Sequence, residues 1–114
     1  MTSKIKATYI YTIRYSQYLG IPCPTIMTTK AELRKFVGQN KRLPSVKKYY
    51  GKAWHGHNTI FINIRNHKNK WELRDTIAHE LLHIYNPNIP HGKKFNSLVK
   101  KIISGAEKGV DRYD

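Results

Sequence analysis

The chain reads as one α+β domain, a small antiparallel sheet packed with a motif-bearing helix and flanking helices. Three observations predict this. Leu73, Ile77, Leu81 and Ile84 recur at helical spacing. Two runs suited to strands, Tyr49 to Trp54 and Thr59 to Ile64, bracket Gly56, His57 and Asn58 as a hairpin. A length of 114 residues with 39% hydrophobic content allows one modest core and no second catalytic domain. The domain is expected over residues 1–105, with a polar tail at 106–114.

Taken in order, residues 4–19 fit two patterns. Ile5, Ala7, Tyr9, Tyr11, Ile13 and Tyr15 alternate as in a strand, whereas Ile10, Ile13 and Gln17 allow a helix ending before Gly20. Pro22 and Pro24 break the chain, and Thr25 to Thr28 is β-branched enough for a short strand. Thr29 with Glu32 matches a capping box, and Leu33, Phe36 and Val37 give the next helix one apolar side before Gly38. Residues 39–47 read as a polar connection.

Asn69 with Glu72 starts the helix that carries Leu73 to Ile84, and Pro87 predicts its end near Tyr85. After the loop Asn86 to Pro90, Phe95, Leu98 and Ile102 form one side of a last helix, with Gly105 at its end.

The 21 Lys and Arg against 7 Asp and Glu give a formal charge of +14, which favours a polyanionic partner, nucleic acid before anionic membrane. No run reaches the length of about 20 apolar residues that crosses a bilayer. The single cysteine, Cys23, excludes an internal disulfide and a four-cysteine metal site, so a cytoplasmic, intracellular protein is expected, possible association with the nucleoid included.

His79-Glu80-Leu81-Leu82-His83 fits H-E-x-x-H. On a helix the four-residue spacing sets both imidazoles on one face, one turn apart, while Glu80 is offset so that its carboxylate reaches a water without being a ligand. Catalytic zinc takes three protein ligands and leaves one position open. The third ligand is either His91, which follows the proline loop beside Gly92, or Glu107, the only glutamate after the motif. The longer pattern H-E-x-x-H-x-x-G-x-x-H fails, because Ile89 stands at its last position.

The run His79-Glu80-Leu81-Leu82-His83, then His91-Gly92-Lys93-Lys94-Phe95, resembles the SprT-type metalloproteases, the group that includes Spartan. So does the upstream hairpin with Gly51 and Ile60-Phe61-Ile62-Asn63, and the resemblance covers residues 4–104. It implies a minimal zincin fold, one zinc ion on His79, His83 and His91, Glu80 as the acid-base residue, and a helix over residues 4–19. It also implies a DNA-associated protease that digests proteins crosslinked to DNA. The sequence departs from many cellular members in having no cysteine-rich C-terminal zinc ribbon, and from Spartan in having no long recruitment tails.

Lys47, Lys48, Lys52, Arg65, Lys68 and Lys70 surround the hairpin, with Tyr49, Tyr50 and Trp54 among them able to stack on exposed bases. Lys93, Lys94, Lys100 and Lys101 lie on the last helix. Single-stranded or junction DNA is the expected partner of a monomeric enzyme. Tyr49, Tyr50, His55, His57 and Tyr85 are the candidate donors to an oxyanion. Two other classes fit the same residues: a zinc peptidase acting on a soluble regulator, and a nucleic-acid-binding module with structural zinc.

Overall fold

The computed structural model describes residues 3–38 and 50–108. Its elements are α1 (Ser3–Leu19), β1 (Thr25–Met27), α2 (Lys30–Val37), β2 (Gly51–Trp54), β3 (Thr59–Ile62), α3 (Lys70–Tyr85) and α4 (Lys93–Glu107), with 3-10 turns at His55–His57 and Ile64–Asn66. The α+β class holds. The connection expected at 39–47 lies outside the described residues.

The sheet is mixed, where the sequence suggested purely antiparallel pairing. β2 and β3 form the expected antiparallel hairpin, with Asn58 in the left-handed conformation that asparagine tolerates at its turn. β1 then pairs with the other edge of β3 in parallel, Thr25 opposite Thr59 and Met27 opposite Phe61. The order β1-β3-β2 puts β3 in the middle, and all four of its residues are buried. Ile60 and Ile62 join Ile26 in the main core beneath α1, α3 and α4, while Phe61 and Met27 face Leu33, Phe36 and Trp54 on the α2 side.

Residues 4–19 are helical. The buried stripe is Ala7, Thr8, Tyr11, Thr12, Tyr15 and Ser16, whereas Ile10 and Ile13 are exposed. Hydroxyls can line the core because they bond back along the helix: Thr8 Oγ1 donates to the Lys4 carbonyl at 2.8 Å and Thr12 Oγ1 to the Thr8 carbonyl at 2.7 Å. The apparent strand alternation arises because half of the packed face is polar.

Both expected caps form. Thr29 Oγ1 accepts from the Glu32 amide at 3.2 Å, and Asn69 Oδ1 from the Glu72 amide at 3.0 Å, while Glu72 Oε2 accepts from the Lys68 amide at 2.7 Å. α3 ends at Tyr85 before Pro87 as expected. α4 passes the expected stop at Gly105, because Glu107 is buried and held by Arg14 Nη1 at 2.7 Å. The helix therefore runs on to Glu107.

His67 ties the end of the β3 segment to α3. Its Nδ1 donates to the Asn63 carbonyl at 2.7 Å, so its Nε2 accepts from the Thr76 hydroxyl at 2.7 Å, and the ring is fully buried in its neutral form. Burial holds its pKa below the ordinary histidine value. A lowered folded-state pKa means that the unfolded chain binds the proton first as pH falls. The contribution is thus present above the unfolded pKa of about 6.5 and is lost below it. Denaturant melts of the metal-free protein should show stability declining as pH drops through 6, with a shallower slope for His67→Gln; equal slopes would remove His67 from the account.

Candidate active site

α3 must do two things at once. Leu73, Ile77 and Leu81 are fully buried and fix the rotation of the helix, each contributing about 1.5–3 kcal/mol by leaving water. With that face committed, His79 and His83 emerge together at the cleft edge. The proline loop then brings His91 back beside them, immediately before α4.

The three imidazoles converge. His83 Nε2 lies 3.1 Å from His79 Nε2 and 3.1 Å from His91 Nε2, and the three candidate ligand atoms fall within 4.8 Å of one another. Phe95, fully buried, forms their floor, with its ring centre 4.6, 4.9 and 5.0 Å from those of His79, His83 and His91. Sequence reasoning gave Phe95 a core position in the last helix; here it also orients all three rings.

This donor set fits zinc. Each neutral imidazole nitrogen carries either one proton or one lone pair, so three nitrogens aimed at a common point cannot all satisfy one another, whereas a cation takes all three lone pairs. Tetrahedral zinc with bonds of about 2.0–2.1 Å would set its nitrogen ligands about 3.3 Å apart, close to the observed pairs. Burial, then the neighbouring His83 and His91, pull His79 down to about 4, and burial, then His91, lowers His83, so both offer lone pairs at neutral pH. Glu107 is turned onto Arg14 and is not part of the cluster.

Glu80 is 6% exposed and lines the same cleft, a cavity of about 380 Å³ between α3, β2 and the proline loop. Burial pushes its carboxyl up to about 8 against the opposing pull of Lys52. A cation on the triad would draw it down again.

Gly51 is what lets β2 approach so closely. A Cβ at that position would come to 2.9 Å from the Phe61 carbonyl oxygen, 3.0 Å from Thr76 Cγ2 and 3.1 Å from Glu80 Cγ. A lone glycine in a strand-like run is the sequence signal for such an approach. Gly92 has a different role: a Cβ there would meet nothing within 4 Å, but φ of 151° is open essentially to glycine alone.

The other expected residues scatter. Of the oxyanion candidates, His55 lines the cleft, whereas His57 packs edge-on against Phe36 at 5.6 Å and Tyr50 against His67 at 5.4 Å. Tyr85 faces a separate groove beside Tyr18, and Tyr49 lies outside the described residues. Among the proposed nucleic-acid contacts, Lys47, Lys48 and Tyr49 lie outside the described residues. Lys93 and Lys94 are exposed at the start of α4, and Lys52 borders the cleft with its ammonium 5.7 Å from the Trp54 ring centre. Trp54 itself is partly buried, packing on Phe36 at 5.0 Å at the edge of the α2-side core. No helix among the described residues is long and apolar enough to cross a membrane.

Comparison of the chain with protein-family models, with curated proteins and with solved structures returns no match.

Zinc competition titrations should show that His91→Ala weakens binding by a factor on the order of 100 or more, while Glu107→Ala leaves affinity within a few-fold of the parent. The reverse ranking would transfer the third position to the carboxylate.

Proposed function

We propose that the protein is a zinc-dependent endopeptidase of SprT type that acts on proteins bound or crosslinked to DNA. The observation that carries the peptidase reading is the convergence of three imidazole nitrogens with a buried carboxylate in one cleft bordered by a sheet edge.

His79, His83 and His91 would hold the metal. Zinc supplies Lewis acidity, acidifying water and polarising a carbonyl. Glu80 accepts the proton of the attacking water and passes it to the departing amine, a transfer that one carboxylate can make when both partners meet at its oxygens. Its burial limits competition from bulk water, and Gly51 keeps β2 from displacing it. Among the described residues β2 is an edge strand, so an extended substrate can pair with its outer side as a further strand across the cleft. His55 stands at the cleft as a donor for charge developing on the substrate carbonyl.

A structural zinc site closes its fourth position with protein and has no use for a general base; Glu80 in the cleft favours catalysis. The DNA part of the reading rests on the charge of +14 and on the SprT resemblance.

Two variants test the division of labour. Glu80→Gln should retain stoichiometric zinc and lose at least about 100-fold in peptide cleavage, since an amide cannot take the proton. Gly51→Ala should also keep zinc while lowering kcat, because its Cβ must push on Glu80 or on the β3 backbone. Near-parental cleavage by zinc-loaded Glu80→Gln would count against the assigned base.

A further inference from the structure

The two tryptophans of the chain differ in environment. Trp54 is partly buried against the α2-side core, whereas Trp71, in the first turn of α3, is 67% exposed. An exposed indole offers a flat apolar face on which a planar group can stack.

The surroundings of Trp71 say what. Its ring lines a groove of about 630 Å³ between the first turns of α3 and the last turns of α4, within the range of about 300–1,000 Å³ that small-ligand sites occupy. Ile103 gives the groove an apolar wall, and Arg74, Lys100 and Lys108 supply positive charge, against which stands the exposed Asp75. Glu107 also borders the groove, but its carboxylate is taken by Arg14.

Arg74 is held in place from below. Its guanidinium carbon lies 4.8 Å from the Tyr11 ring centre and 5.9 Å from that of Trp71, and its Nε is buried with no hydrogen-bond partner. Arg74 also lines a second cavity of about 620 Å³ against α1, where Lys6 and Lys70 add further positive charge and Arg14 is paired with Glu107. Trp71 thus sets a flat apolar face in one groove, and Arg74 is shared with the basic hollow next to it, an arrangement that suits a nucleic-acid strand with its alternating base and phosphate.

We propose that Trp71 is the stacking platform for an unpaired base of single-stranded nucleic acid, with Arg74, Lys70 and Lys100 meeting the flanking phosphates. This inference rests on the nucleic-acid part of the proposed function and moves the stacking surface from the hairpin to the α3–α4 groove. Duplex DNA offers no free base face except at ends, so the groove selects single strands. Trp71 precedes His79 by eight residues, about 12 Å along the helix axis, so a strand held here would lie near the metal cleft without entering it.

Trp54→Phe leaves Trp71 as the sole tryptophan, and its fluorescence then reports this groove alone. Titration with a labelled oligothymidylate of about 12 residues should quench that fluorescence in step with the rise in label anisotropy. Trp71→Ala should weaken binding roughly 5- to 150-fold, the loss of one base–aromatic stack, while Trp71→Phe recovers much of it. The exposed ring makes both substitutions tolerable to the fold. Anisotropy showing tight binding with Trp71 fluorescence unchanged, or with Trp71→Ala equal to the parent, would overturn the site and leave the nucleic-acid reading standing. Absence of binding by the parent at low salt would overturn both.

Discussion

Leu73, Ile77 and Leu81 leave no surface exposed, and their burial beneath α1, α4 and the sheet determines how α3 is turned about its axis. Every feature of the cleft follows from that rotation. His79 and His83 face the returning His91, Glu80 faces β2, and Trp71 stands out at the opposite end of the same helix. Truncating one of these side chains to alanine removes about 2–5 kcal/mol from a fold whose total stability is of order 5–15 kcal/mol, so the site and the core cannot vary independently.

The second constraint is electrostatic. A carboxylate as buried as Glu80 is disfavoured as an anion, and burial together with the neighbouring imidazoles disfavours protonation of His79 and His83. Each is an unfavourable arrangement on its own. Placed in one cleft, they suit a divalent cation, which would relieve the crowding of lone pairs and favour the charged form of the carboxylate. Phe95 beneath the rings and Gly51 beside Glu80 keep the groups from relaxing apart.

Much of this was legible in the sequence where the cause is local. The cap of α3, its apolar period and the four-residue spacing of its histidines agree with one another, so helix and motif could be read together. The hairpin turn at Asn58 and the break at Pro87 are also local. α1 was ambiguous because its buried stripe is half hydroxyl, and apolar period is a poor guide when Thr8, Thr12 and Ser16 line the core. The parallel pairing of β1 depends on a strand distant in sequence and leaves no local trace. That His91 and not Glu107 lies beside His79 and His83 follows from the ion pair of Glu107 with Arg14, and the partial covering of Trp54 from its contact with Phe36; both are tertiary facts.

X-ray absorption of the zinc-loaded protein at neutral pH tests the central claim most directly, because it reads the ligand set without relying on a variant. An open catalytic site requires three imidazole nitrogens at about 2.0–2.1 Å and one light solvent ligand, with multiple-scattering intensity for three rings. Four imidazoles, a sulfur shell from Cys23, or two imidazoles with a protein carboxylate would contradict it.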